Sequence, residues 1–248
     1  MRGNAPVGRR RQPVLGVVLL VADHAVETLD LEEPYAWEPP PGLAPGFFGH
    51  PRHWPVPVLF AVAENATAAA AAAGDPDAMR GVAEAVARLD RRCDLIIGSC
   101  GFFSEAWDAM VERPATPTIL SGFDFLDDAL RSTTRDVAVL AFSEPPAERF
   151  LAPRLDRARI RIVGLVPAGD WPLIGRLDYA TNPQWTLAGL EAGLREILEA
   201  ETRDGGKLDD VGAIVIECTA LPQFRSVIRE YTAAPIFDAG AVAINLLS

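Results

Sequence analysis

Short apolar runs recur along the chain, each bounded by glycine, proline or charged residues. VLGVVLLV (14–21), VPVLFAVA (56–63), DLIIG (94–98), TPTILSG (116–122), DVAVLAF (136–142), IRIVGLVP (160–167) and VGAIVIE (211–217) have the length and β-branched content of buried strands. Helical periodicity fills the gaps. Met79, Val82, Val86 and Leu89 share one face of a helix starting at Asp77, and 187–201 is the clearest helix of all. Phe103, Ala106, Trp107 and Met110 repeat at helical spacing after Cys100, with Ser104 placed to cap them. The alanine run ATAAAAAAGD (66–75) reads as a connector, because Gly74, Asp75 and Pro76 follow it. A last helix over 241–247 closes the chain.

Strands alternating with helices predict an α/β fold with mainly parallel sheets and helices on their faces. Between the first two runs lies EEPYAWEPPPGLAPGFFGHPRHWPVPV, too rich in proline for a helix or a central strand. A loop of that length is a lid or binding loop, or else disordered, and its aromatics favour packing. His53 and Trp54, near its end, are candidates to close over a substrate.

The chain repeats itself weakly. DLIIGSC and GAIVIEC both end an apolar strand on a cysteine, and each leads through a helix to a similar strand, PTILSG in one case and PIFDAG in the other. The cysteines, Cys100 and Cys218, stand 118 residues apart (218 minus 100). Two pseudo-symmetric parallel-sheet lobes facing each other across an active-site cleft explain the repeat. The expected division is 14–130 for the first lobe, joined by the C-terminal segment 225–248, then 131–224 for the second lobe, with 1–13 a flexible tail.

Composition narrows the function. The 248 residues carry a formal charge of −11, which argues against a nucleic-acid surface. The apolar run at 14–21 is too short to span a membrane and fits a first strand better than a signal peptide, so a cytoplasmic protein is expected. RRRQ (9–12) reads as part of a frayed terminus. Three cysteines without a framework argue against a secreted disulfide scaffold.

In parallel sheets ligands bind at the carboxyl ends of strands, where Cys100 and Cys218 both fall. Cys93 precedes its strand and reads as core. Backbone N–H groups at the helix starts after Cys100 and Cys218 are expected to lower the thiol pKa, and to hold a substrate anion. Thr219 can cap the helix after Cys218, and Pro222 suits its first turn. Two facing thiols leave three chemistries open: a disulfide, a metal site, or a pair of acid/base groups on opposite faces of a carbon acid. A reducing compartment weighs against the first. The few ligands weigh against the second, since His24, His50 and His53 show no ligand spacing with the cysteines. Ser99, Gly101 and Phe102 flank one thiol, and Glu217 and Thr219 flank the other, as candidate substrate-binding positions.

GSCGFF around Cys100 and ECTALPQF around Cys218 resemble the aspartate/glutamate racemase superfamily, which includes hydantoin racemases, maleate isomerases and arylmalonate decarboxylases. The resemblance runs from about Val14 to Leu247. It implies two α/β lobes, a catalytic cysteine from each, and chemistry without PLP, metal or other cofactor. It further implies a small acid as substrate, no nucleic-acid or membrane partner, and a homodimer as an expected assembly. Racemase-like activity at a carbon next to a carboxylate or carbonyl is the leading expectation. A decarboxylase, a cis–trans isomerase and an idle small-acid-binding protein are the alternatives. The chain departs from amino-acid racemases at Cys100-Gly101-Phe102, where they carry Cys-Asn-Thr, and at Cys218-Thr219-Ala220, where glutamate racemases carry Cys-Thr-His. Asp23 is the candidate match to their Asp-Ser pair after the first strand.

Overall fold

The computed structural model describes residues 11–21, 47–166, 168–174 and 185–248. Asp23, the tail before residue 11, Pro167 and most of the proline-rich segment lie outside the described residues.

Two four-stranded parallel sheets form the framework, one in each half of the chain. The first contains β1 (Leu15–Leu19), β2 (Val58–Val62), β3 (Leu95–Gly98) and β4 (Thr118–Ile119), in the order β2-β1-β3-β4. The second contains β5 (Val137–Ala141), β6 (Ile160–Gly164), β7 (Ala213–Ile216) and β8 (Ile236–Phe237), in the order β6-β5-β7-β8. Every residue of β1, β2, β3, β5 and β7 is buried, which is why these segments read as unbroken apolar runs rather than alternating ones. The sheets repeat with the spacing of the cysteines. β3 and β7, and likewise β4 and β8, are displaced by 118 residues (213 minus 95, 236 minus 118).

The helices before β3 are α1 (Ala68–Ala73) and α2 (Pro76–Leu89). The alanine run expected as a connector is thus a helix. Thr67 caps its start by accepting from Ala70 N–H, and Gly74 ends it in the left-handed conformation, where a side chain is disfavoured. Asp75 caps α2, which buries Met79, Val82, Val86 and Leu89 as the periodicity predicts. In the second half α4 (Glu144–Leu151), α5 (Trp171–Ile174), α6 (Leu187–Glu201) and α7 (Arg225–Tyr231) surround the sheet.

The remaining helices are exchanged between the halves. α3 (Leu126–Ser132), which follows β4, packs against β7 of the second sheet. α8 (Ala239–Leu247), which follows β8, packs against β3 of the first. This corrects the expected division. Segment 225–238 stays with the second lobe, because α7 packs on α6 and β8 pairs with β7. Only α8 returns to the first lobe, where Ala239, Ala243 and Leu247 join Leu15, Val17, Leu95 and Ile97. The reciprocal crossing of α3 makes one apolar core continuous across the lobes. Val18 and Ile96 of one sheet and Val139 and Val215 of the other belong to it, with Phe102, Phe103 and Phe123. Gly122 lets α3 start this crossing: a Cβ there would sit 1.8 Å from Ile216 O.

Residues 47–57 of the proline-rich segment pack rather than wander. Phe48, Trp54 and Val56 are buried beside β1 and β2, while Phe47 lies against Trp185 of the second lobe with ring centroids 5.3 Å apart. Arg11, read as part of a frayed tail, is ion-paired to Asp94 at 3.0 Å.

Candidate functional site at the junction of the lobes

Both sheets reverse their strand order beside the central strand, between β1 and β3 and between β5 and β7. Such switch points open a crevice at the carboxyl ends of the strands. Cys100 follows β3 and Cys218 follows β7, so each sheet delivers one thiol to its own switch point. Cys218 is buried and Cys100 partly so, and neither is in a disulfide.

The lobes are tied together beside these thiols. Thr219 Oγ1 donates to the backbone carbonyl of Ser99 at 2.6 Å. Thr219 therefore does not cap the turn after Cys218. That turn, Pro222–Phe224, starts at Leu221 without a side-chain cap, with Pro222 in its first turn as expected. Ser99 itself is held by its N–H to Val18 O at 2.9 Å, and its side chain is only partly buried.

Glu217 occupies the centre of the junction. Its residue is 1% exposed, and its Oε2 accepts from Phe142 N–H at 2.9 Å. Its other oxygen reaches the opposite lobe: a Cβ on Gly101 would fall 1.7 Å from Glu217 Oε1. Gly101 is glycine because the carboxyl group of Glu217 fills the place of a side chain. Among the described residues no cation offsets Glu217, and burial pushes its pKa from 4.5 up to about 7, opposed by the Phe142 N–H.

The thiols respond to the same environment. Burial, then the charge of Glu217, pushes Cys100 up to about 12, against a stabilising Phe102 N–H. Cys218 is raised well above the ordinary thiol value by burial first and then by Glu217, while Ala220 and Leu221 N–H groups and Cys100 act more weakly. The donors expected to lower the thiol pKa are present, but they lose. Phe102 belongs to the 3₁₀ helix Gly101–Trp107, and Ala220 and Leu221 precede the short 3₁₀ turn Pro222–Phe224, so neither thiol sits at the start of a long helix with a full macrodipole. Burial and the charge of Glu217 thus favour the protonated form of both thiols.

Other expectations resolve differently. Phe102 is 3% exposed and packs in the shared core against Phe123, so it is not a pocket wall. Ser104 does not cap a helix; its hydroxyl donates to Asp124 at 2.7 Å. Trp54 is buried, and its Nε1 donates to Phe48 O at 2.9 Å, so it packs the loop rather than covering a substrate. His53 lies between Phe48 and Trp54, and its Nε2 has no partner among the described residues. Burial lowers its pKa, followed by His50, while Asp238 raises it; the thiols do not figure among these influences. Cys93 is core, with its thiol donating to Leu89 O at 3.4 Å. Of the partners of Glu217, Gly101 lies in the motif around Cys100, whereas Phe142 is marked by no motif. Among the described residues no three His, Cys, Asp or Glu side chains gather as a metal site, and no helix is long and apolar enough to cross a membrane.

No protein-family model matches the chain, and no curated protein does. Solved structures do. A double mutant of arylmalonate decarboxylase in its liganded form, with a glycine replaced by cysteine and a cysteine by serine, is 15% identical, covers 95% of this chain and 92% of its own, and has a TM-score of 0.50. Glutamate racemase of Escherichia coli, with L-glutamate and an activator, is 15% identical over 95% of this chain and 80% of its own, with a TM-score of 0.46. Allantoin racemase of Pseudomonas fluorescens is 17% identical over 94% and 88%, with a TM-score of 0.44. The two-lobed α/β fold is shared with arylmalonate decarboxylase.

Proposed function

We propose that the chain is a cofactor-independent racemase or epimerase acting at a carbon next to a carboxylate or carbonyl, with Cys100 and Cys218 as its two acid/base groups. One observation carries this reading. The thiols follow equivalent strands, β3 and β7, of two parallel sheets, and the residues beside them, Thr219 and Ser99, are joined across the lobes at 2.6 Å. In the forward step one thiolate takes the α-proton. The C–H bond breaks, an S–H bond forms, and the electron pair moves onto the substrate oxygen as an enolate. The opposing thiol then gives its proton to the other face, forming the new C–H bond and becoming the thiolate. Oriented donors lower the cost of the enolate. Ser99 Oγ and the N–H groups after each cysteine are the candidates, because the Thr219 proton is already engaged with Ser99 O. The substrate class is a small carbon acid.

The test uses a panel of chiral amino acids, hydantoins and 2-aryl acids in deuterium oxide. Wild-type protein is expected to incorporate deuterium at the α-carbon of one of them. Cys100→Ser and Cys218→Ser are each expected to lose roughly 10²–10⁴-fold in rate. Retention of exchange by both variants overturns the reading. A second reading, decarboxylation of a malonate-like diacid with one thiol as proton donor, is favoured by the protonated state of both thiols. It predicts carbon dioxide release that depends on only one of the two cysteines.

A further inference from the structure

Two thiols and one carboxylate share a buried space in which no described residue places a compensating cation. Glu217 precedes Cys218 in the chain, and its Oε1 occupies the side-chain place of Gly101, the neighbour of Cys100. It thus lies beside the segments that carry both thiols, belonging to one lobe and touching the other. A carboxylate with only an apolar filling role would be replaced without loss by a hydrocarbon, since burying an unpaired charge is costly.

We propose that Glu217 shares a single negative charge with Cys100 and Cys218, taking up the proton that a thiol gives when it becomes the attacking thiolate. The inference rests on the two-thiol reading for its catalytic meaning, though not for its test. The step balances. An S–H bond breaks, an O–H bond forms, and the charge passes from carboxylate to thiolate with no change in the total charge of the junction. Two negative charges side by side in this medium would be strongly disfavoured, so the thiolate forms when Glu217 is neutral. The raised pKa of all three groups agrees with one shared charge.

The other acids on neighbouring segments are engaged elsewhere. Asp124, beyond Gly122, accepts from Ser104, Trp107 and the Leu120 N–H. Glu144, beyond Phe142, is paired with Lys207 at 2.8 Å. Among the described residues, the titrating groups that face Glu217 are therefore the two thiols. Glu217 acts through them and is a positioning residue.

The test is the pH dependence of Cys100 alkylation by iodoacetamide, a neutral probe of thiolate, followed by mass spectrometry of the Cys100 peptide. A shared charge predicts two steps in the wild-type profile. A small plateau starts near pH 7, when the first proton leaves the three-group cluster, and a second rise follows at high pH. Glu217→Gln keeps the size of the side chain and an acceptor for Phe142 N–H, but removes the charge. It is expected to abolish the step near neutrality and speed alkylation at pH 9 roughly tenfold or more, while Glu217→Asp restores two steps. A single step in wild type, or a neutral step that survives Glu217→Gln, overturns the proposal. The wild-type profile needs no variant to fold and no substrate. If Cys100→Ser and Cys218→Ser abolish deuterium exchange but alkylation shows one step, the two-thiol reading stands and the role of Glu217 falls. If exchange survives the serine variants and alkylation shows two steps, the reverse holds.

Discussion

Thr219 Oγ1 donates to the Ser99 carbonyl at 2.6 Å, so the residue after one thiol is fastened to the residue before the other. This bond fixes the separation of the sheets at the place where the cysteines emerge. Thr219→Val keeps the shape and removes the donor, leaving the Ser99 carbonyl unpaired at a partly buried position. A loss of about 1–2 kcal/mol in urea unfolding is expected, since an unpaired buried acceptor bears its desolvation cost. Thr219→Ser retains the hydroxyl and should restore most of that loss. Equal stability of the valine and serine variants would show that the bond does not tie the lobes.

Gly101 and Glu217 are complementary in volume. Gly101→Ala puts a Cβ 1.7 Å from Glu217 Oε1 and 2.5 Å from the Glu217 carbonyl oxygen, so the carboxyl must leave and the backbone must shift. Overpacking of this kind costs about 1–3 kcal/mol. Glu217→Ala empties part of the space, so the double variant Gly101→Ala with Glu217→Ala should recover part of the loss, though the carbonyl contact persists. A double-mutant cycle on unfolding free energies measures the coupling, and additive effects would refute the contact.

Much of the framework was legible in the sequence because parallel strands buried on both faces leave a strong local trace. VVL in β1 and IVI in β7 need no tertiary information to be read. The placement of Cys100 and Cys218 followed from the same local pattern repeated. What failed was long-range or ambiguous in period. Residues 103, 106, 107 and 110 repeat at α-helical spacing, yet the segment forms a 3₁₀ helix over Gly101–Trp107 that buries Phe103 and Ala106, the i, i+3 pair which both helix types place on one face. The alanine run offered no polar face, though Thr67 and Gly74 were usable cap signals. The crossing of α3 and α8 depends on what each helix meets after leaving its strand, which no local pattern records. The burial of Glu217 is not legible in the sequence for the same reason. Its burial is created by Gly101, more than a hundred residues earlier, and by the absence of a side chain there.

The carboxyl of Glu217 also makes a stability prediction. Its pKa is raised from 4.5 to about 7 in the folded protein. An acid with a raised folded pKa binds its proton more tightly when native, so stability falls as pH rises between the two values and the full penalty applies above 7. A shift of 2.5 (7 minus 4.5) corresponds to on the order of 3 kcal/mol. Glu217→Gln, which cannot ionise, should therefore exceed wild type in stability at pH 8, and the difference should shrink progressively toward pH 4.5. The comparison of urea midpoints for the two proteins cancels other titrating groups. A difference independent of pH would mean that Glu217 does not titrate in this range.

Asp238 holds the returning helix α8 at its start. The residue is 1% exposed, its Oδ1 accepts from Ala241 N–H at 2.6 Å, and its Oδ2 is paired with Arg225. Arg225 also donates to Ile236 O at 3.1 Å, so the ion pair links the edge strand β8 to the helix that leaves it for the other lobe. Asp238→Ala removes the cap and strands a partly buried guanidinium, and a loss of about 3 kcal/mol is expected. Asp238→Asn keeps an oxygen for the Ala241 N–H and should cost roughly half as much, the part due to the lost charge. Because α8 packs on β3, just below Cys100, the alanine variant should also increase hydrogen exchange in Leu95–Gly98, whereas Ala138–Leu140 in the second sheet should stay protected. Exchange that rises equally in both sheets would show global destabilisation rather than release of the exchanged helix.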